Sequence, residues 1–303
     1  GIMQHIEAAG IHLGDSACVF PPFKSKAEII AEMEEATRKI ALDIGISGFI
    51  NIQFAVKDDV LYILEVNPRA SRTIPFLSKA SGVDLVDAAV KVWRGTSLAQ
   101  QGLTGAGKCL TTWAVKEAVF SFGRFGNLDP ILGPEMKSTG EVIGTGATFG
   151  EAFAKAQASS GSPLPTEGKV FVSVNKNDRE TILPIIADLA GMGFAIAATD
   201  GTAGFLFANG IFAEVVLKVH EGRPNVVDHM RTGRIALLIN TPLGRFSQKG
   251  DEALRIEAVS RKIPYTTTTS AAWAAVEGIK YLHTKEVAVR PMPGSIGGPE
   301  VKG

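Results

Sequence analysis

The chain has 303 residues, 45% of them hydrophobic and 20% charged, with 31 Lys and Arg against 31 Asp and Glu. That is enough for two ordinary globular domains. It excludes a disordered chain, and a zero net charge gives no basis for a dedicated nucleic-acid binder. No apolar run reaches the roughly 18 residues of a membrane helix and no basic-then-apolar leader opens the chain. Cys18 and Cys109 are too few for a disulfide framework and too far apart for a CxxC site. A cytoplasmic chain with reduced thiols is expected.

The opening Gly1-Ile2-Met3-Gln4-His5-Ile6-Glu7 reads as the interior of something longer. From Lys26 to Leu42, Ile29, Ile30, Met33, Ala36, Ile40 and Ala41 recur at helical spacing until Gly45, which predicts a helix. Phe49 to Val56 alternates, with Ile50, Ile52, Phe54 and Val56 on one face and the amides Asn51 and Gln53 on the other. A second strand, Val60 to Asn67, places Leu61, Ile63, Glu65 and Asn67 on one face. The register depends on the turn between them. Two loop residues would pair Gln53 with Leu64, whereas three, Lys57 to Asp59, pair it with Ile63 beside Glu65, and the three-residue loop is expected.

Residues 159–168 are dense in Ser, Gly and Pro without apolar periodicity and read as a linker between a domain at 1–158 and one at 169–290. Strands and helices then alternate: Val170–Val174, a helix from Asp178 to Ala190 despite Pro184, Ala195–Ala198, Ala236–Ile239, a helix from Glu252 to Lys262, and a last helix through Ala271 to Ile279. This order implies a parallel sheet flanked by helices, an α/β architecture whose ligands sit at the carboxyl ends of the strands. A tail at 291–303 is rich in Pro and Gly and is expected to be flexible.

Glu65-Val66-Asn67-Pro68-Arg69-Ala70-Ser71-Arg72 gathers an acid, an amide and two guanidiniums at a strand end. Glu65, Asn67 and Gln53 offer the hard oxygens that magnesium prefers, and Arg69 and Arg72 could fork onto phosphate. The ordinary alternative is a solvated hairpin end in which Glu65 pairs with Arg69 or Arg72. In the second half, Ala198-Thr199-Asp200-Gly201-Thr202-Ala203-Gly204 follows a strand and suits either a phosphate-cradling turn or a capped helix start. The loop Ile239-Asn240-Thr241-Pro242-Leu243-Gly244-Arg245, with Lys218 and Arg179, could complete an anion pocket.

The segment Leu64 to Thr73, preceded by Asn51-Ile52-Gln53-Phe54-Ala55-Val56, closely resembles the second ATP-grasp unit of the carbamoyl phosphate synthase large subunit. Gly133-Pro134-Glu135-Met136-Lys137-Ser138-Thr139-Gly140-Glu141-Val142 and His220-Glu221-Gly222-Arg223-Pro224 resemble the same subunit in the same order. The resemblance implies the subunit's C-terminal portion, an α+β ATP-grasp lobe followed by a methylglyoxal-synthase-like three-layer α/β domain. It implies an ATP-dependent ligase that uses two ATP, bicarbonate and glutamine-derived ammonia, phosphorylates carbamate to carbamoyl phosphate, and feeds pyrimidine and arginine synthesis. On it, Gln53, Glu65 and Asn67 bind Mg2+ or Mn2+, Gln53 and Glu65 also meet ATP, and Arg69 and Arg72 steady the transferred phosphoryl group. Gly10, Ile11, His12 and Leu13 match the nucleotide-contacting segment, although Leu13 stands where Ser is expected.

From Lys169 onward the resemblance is to the subunit's regulatory domain. Arg179, Thr199, Thr202, Lys218 and Asn240 match positions that hold a nucleotide monophosphate such as UMP or IMP, with Arg179 and Pro242 departing from an expected Lys and Thr. Glu7, Asp15, Glu117, Tyr265 and Thr267 match an ornithine site found in some bacterial members. A glutaminase small subunit is the implied partner, docking on the part absent from this chain, and the full enzyme could be a homo-oligomer. No nucleic acid or membrane partner is implied. The lobe carrying the phosphate-covering loop is missing, so little ligase activity is expected of this piece alone. Two other readings are a nucleotide-sensing module without catalysis and an ATP-grasp ligase that makes a different acyl phosphate.

Overall fold

The computed structural model describes residues 1–104, 112–121, 129–243 and 251–289. Cys109, Gly244, Arg245 and the 291–303 tail lie outside them. The chain forms two compact units, one of residues 1–5, 18–114 and 288–303, the other of residues 6–17 and 115–287.

In the first unit, β1 (Gln4–His5) pairs antiparallel with β2 (Cys18–Phe20). Helix α1 (Ala27–Ile44) buries Ile29 and Met33 and stops at Gly45, whose φ of 71° only glycine adopts without cost. The hairpin β3 (Asn51–Lys57) and β4 (Val60–Asn67) follows, then α2 (Thr73–Ser81) and α3 (Leu85–Trp93), the latter capped by the Asp84 carboxylate.

The hairpin corrects the expected register. Lys57 pairs with Val60, so the loop is the two residues Asp58 and Asp59, at φ of 52° and 60°, the two positive values of a type I′ turn. Alternation alone would then set Gln53 against Leu64. A bulge intervenes: Phe54 pairs with Ile63 but Gln53 pairs with Glu65, leaving Leu64 as the extra residue. Glu65 therefore shares a face with Gln53 and not with Ile63. The expectation of Gln53 beside Glu65 holds, through a bulge rather than a longer turn.

In the second unit, β5 (Trp113–Phe120) neighbours β6 (Ser138–Gly146), and α4 (Phe149–Ser160) leads across 161–168 to a five-stranded sheet. Its strands are β7 (Lys169–Val174), β8 (Ala195–Ala198), β9 (Glu214–Val215), β10 (Leu237–Thr241) and β11 (Tyr265–Thr266), all parallel in the order β11-β10-β7-β8-β9. The chain steps outward from β7 to β9 and then returns to β10 on β7's other side, so the order reverses between β7 and β10. The flanking helices are α5 (Arg179–Gly191), α6 (Asp200–Ala208), α7 (Val226–Arg231), α8 (Glu252–Ser260) and α9 (Thr269–Thr284). α5 keeps Pro184, which costs roughly 3 kcal/mol in a helix interior. Its four buried side chains, Ile182, Ile185, Ile186 and Leu189, contribute about 1.5–3 kcal/mol each, which decides the outcome. α8 ends before the expected Lys262, which turns to φ of 55°.

Helices α4 and α9 pack at glycine contacts. A Cβ on Gly150 would stand 2.3 Å from the Glu277 carbonyl oxygen, and one on Gly278 2.5 Å from Leu164 Cδ1. Gly150→Ala improves helix propensity by about 1 kcal/mol, yet it forces two backbones apart, and overpacking typically costs roughly 1–3 kcal/mol. Net destabilisation, read as a lower urea midpoint with an unchanged slope, is the expected outcome.

Candidate functional site

Cross-strand partners point to one side of a sheet, so the pairs Gln53–Glu65 and Asn51–Asn67 place four oxygen-bearing side chains on one face of the hairpin. Asn67 Nδ2 donates to Glu65 Oε1 at 2.7 Å, which leaves Asn67 Oδ1 and the second Glu65 oxygen as acceptors. Asn51 Oδ1 is buried without a hydrogen-bond partner. Sequence reasoning placed Asn51 on this face but not in the site; the orphaned oxygen is what singles it out, and only coordinates reveal it. One carboxylate among several amide oxygens suits a hard cation that retains bound phosphate or water, and the donor set fits Mg2+ or Mn2+. Among the described residues no three His, Cys, Asp or Glu side chains cluster, so a site of the thiolate or imidazole kind is not offered there. Arg69 Nη1 donates to the Ala70 carbonyl at 3.1 Å, and Arg72 stands at the start of α2.

In the second unit, residues 10–16 fold into a tight turn. The His12 N–H donates to the Gly133 carbonyl at 2.8 Å, His12 Nδ1 accepts from the Gly14 N–H at 3.1 Å, and the Asp15 and Ser16 N–H groups donate to the His12 carbonyl. The Asp15 carboxylate accepts the Lys137 and Ser138 N–H groups at 2.7 and 2.9 Å, fastening this turn to the start of β6. Lys116, wholly buried on β5, donates to the Leu13 carbonyl at 3.3 Å. Gly10, Ile11, His12 and Leu13 thus sit on a braced loop. Asp15 is one of its struts, with both oxygens engaged.

Glu7, Glu117 and Tyr265 lie close enough to feel one another's charge. Burial pushes the Glu7 carboxyl up to about 7, and its Oε2 has no hydrogen-bond partner. Burial and then the Glu7 charge push Glu117 up to about 8, although its Oε2 accepts from Gln157 Nε2 at 2.9 Å. Burial, then Glu7, Asp129 and Glu117, raise the Tyr265 hydroxyl. Two desolvated acids and a phenol form a buried cluster whose desolvation a cation would relieve. Thr267 follows β11 directly.

At the carboxyl ends of the parallel strands, Thr199 precedes α6 and donates its hydroxyl to Thr202 Oγ1 at 3.2 Å instead of capping the helix. Arg179 opens α5 and lies over the Phe205 ring at 5.6 Å, with Nη2 3.2 Å from where a Gly201 Cβ would stand. Its Nε is buried without a partner. A helix start with its first N–H groups unclaimed by a side chain, two hydroxyls and a guanidinium make an anion-receptive corner. Asn240 is the penultimate residue of β10, next to the order reversal between β7 and β10, where α/β sheets place their ligands, while Lys218 follows β9.

The first unit carries a bulged polar hairpin and the second a five-stranded parallel α/β sheet, and comparison with known proteins names a family for each part. Residues 3–101 match the family model of the carbamoyl-phosphate synthase L chain ATP binding domain, and residues 181–267 match the MGS-like domain. The chain is 48% identical to the carbamoyl phosphate synthase large chain of Gemmatimonas aurantiaca over 96% of its own length and 26% of that protein's. It is equally 48% identical to those of Acidobacterium capsulatum and Pasteurella multocida, over 96% and 95% of this chain and 27% of each. The chain is similar to carbamoyl phosphate synthase large chains over nearly all of its own length and spans about a quarter of theirs.

Raised carboxyl pKa values carry a consequence for stability. Folded Glu7 and Glu117 keep protons that an unfolded glutamate loses near 4.5, so the folded state binds more protons between about 4.5 and 8. Stability contributed by these groups is therefore largest below that window and falls as pH rises through it. Glu117→Gln is expected to shrink the fall in urea midpoint between pH 5 and pH 8 and to leave the variant more stable than wild type at pH 8.

Proposed function

We propose that this chain supplies the metal-bearing portion of the ATP-grasp unit that phosphorylates carbamate to carbamoyl phosphate, joined to a domain that senses nucleotide monophosphates. The observation that carries this reading is the bulged hairpin, which sets Gln53 opposite Glu65 with Asn51 and Asn67 on the same face. In this proposal Gln53, Glu65 and Asn67 hold magnesium or manganese, with the orphaned Asn51 oxygen as a further donor. Such an ion, when bound, neutralises the charge of the nucleotide phosphates. Arg69 and Arg72 orient the transferred phosphoryl group, and the Gly10–Leu13 loop lies along the nucleotide, with Leu13 offering backbone only. Catalysis of this kind is positioning and charge neutralisation.

The organisation we propose is an ATP-grasp part at 1–158, a connector at 159–168 and a regulatory domain at 169–290. Arg179, Thr199, Thr202, Lys218 and Asn240 would receive a nucleotide monophosphate such as UMP or IMP, the phosphate on the α6 start. Glu7, Glu117 and Tyr265, with Asp15 and Thr267, would receive ornithine, whose ammonium offsets the buried acids. The remaining three quarters of the large chain, a glutaminase small subunit and a cytoplasmic setting belong to the same proposal. Among the described residues no helix is long and apolar enough to cross a membrane.

The ligase reaction is assigned to the complete large chain, so purified 303-residue protein is expected to yield no ATP-dependent carbamoyl phosphate while binding UMP in calorimetry, and Thr199→Ala is expected to weaken UMP at least about tenfold. Turnover comparable to a complete enzyme would reject the first statement, and absence of UMP binding the second. For the hairpin, Mn2+ titration followed by water-proton relaxation is the direct measurement. Glu65→Gln is expected to weaken Mn2+ about tenfold or more, because it removes the only carboxylate of the donor set; an unchanged titration would reject the metal assignment.

A further inference from the structure

A fully buried guanidinium of the second unit belongs to neither proposed pocket. Arg255, on α8, is 0% exposed. Its Nε and Nη2 donate to the two Asp129 oxygens at 2.8 and 2.6 Å, a bidentate fork, and its Nη1 reaches Asn240 Oδ1 at 3.4 Å. The Asn240 amide is engaged at its other end as well, with Nδ2 donating to Asp251 Oδ2 at 2.9 Å and to the Ser173 carbonyl at 3.3 Å. Asp129 Oδ1 also accepts the Ile131 N–H at 3.1 Å. One planar cation therefore links the end of β10 to the segment that runs into β6.

Those two ends belong to different pockets. Asn240 is a proposed contact of the nucleotide monophosphate. Asp129 lies near enough to Tyr265 for its charge to act on that phenol together with Glu7 and Glu117. Strand register supplies a second connection, since Leu238 and Ile239, which immediately precede Asn240, pair with Tyr265 and Thr266.

We propose that Arg255 is the positioning residue that couples the nucleotide pocket to the acid pocket, by holding Asn240 and Asp129 in one hydrogen-bonded unit. The proposal rests on the reading of these two pockets given above. Its logic is competition for the Asn240 carboxamide. A nucleotide oxygen that recruits Asn240 must take one of its Nδ2 hydrogens from Asp251 or the Ser173 carbonyl, and the carboxamide then turns and shifts the Oδ1 that Arg255 holds. Arg255 is fully buried and cannot be left uncompensated, so Asp129, whose side chain is 21% exposed, moves with it. Any displacement is thereby delivered to the Glu7, Glu117 and Tyr265 side. By linkage, a cation seated among those acids changes nucleotide affinity by the same factor as the nucleotide changes the cation's.

The test is calorimetry on the 303-residue protein with UMP and with ornithine, each titrated alone and against saturating amounts of the other. Wild type is expected to give an affinity ratio that departs from one by about fivefold or more, in either direction, and equal for the two orders of titration. Arg255→Lys keeps the charge but lacks the fork, and the double variant Arg255→Met with Asp129→Leu removes both buried charges, which protects the fold from an unpaired ion. Both are expected to bring the ratio to within about twofold of one while each ligand alone binds within about threefold of wild type. A folded double variant that keeps the wild-type ratio, or a wild type that binds both ligands with a ratio of one, overturns the coupling role by itself. A wild type that binds neither UMP nor ornithine rejects the pocket assignments beneath it, and the coupling role with them.

Discussion

Side chains along a strand alternate with a period of two, and this constraint governs the hairpin on which the catalytic reading depends. A two-residue turn on Asp58 and Asp59 would carry the wrong parity to the far end and turn Glu65 away from Gln53. One surplus residue, Leu64, restores it. Apolar Ile52, Phe54, Val56, Leu61 and Ile63 then share one side, and Asn51, Gln53, Glu65 and Asn67 share the other. The bulge is the local irregularity that reconciles a tight turn with a polar face, and without it the acid and the amides would be split across the sheet.

The second unit solves a different problem, the cost of withdrawing charge from water. Where a pairing partner exists, charge is buried outright, as Arg255 is against Asp129 and as Asp15 is against two backbone N–H groups. Where no cation lies close enough to offset burial, the carboxyl pKa rises, and Glu7 and Glu117 hold their protons well above the ordinary carboxylate range. The first arrangement makes rigid structure. The second leaves buried carboxyls whose protonation would respond to a neighbouring cation. Arg255 belongs to the first kind and, in the coupling proposed above, joins it to the second.

Parallel strands add a third element. Because β7 lies between β8 and β10, the carboxyl ends of the strands open a crevice where the order reverses, and Asn240 falls there without any special sequence device. The α6 start with Thr199 and Thr202 lies one strand away, at the end of β8. Anion-receptive groups gather at this end because parallel strands all finish on the same side.

Periodicity was sufficient for what depends on neighbours in sequence: the helix at α1, both strands of the hairpin, and much of the strand–helix alternation after 168, though not β9 or α7. Family resemblance supplied the proposed nucleotide, metal and effector positions, and the matches at 3–101 and 181–267 agree with that resemblance. Turn length, the bulge at Leu64 and the orphaned Asn51 oxygen were not legible, because one inserted residue changes facing while leaving composition untouched. Nor was the Arg255–Asp129 pair, whose members are 126 residues apart. Local spacing determined which elements form and which chemistry each segment can offer. Only tertiary structure decided which side chains share a face and which charges are desolvated together, since both are set by contacts between segments distant in the chain.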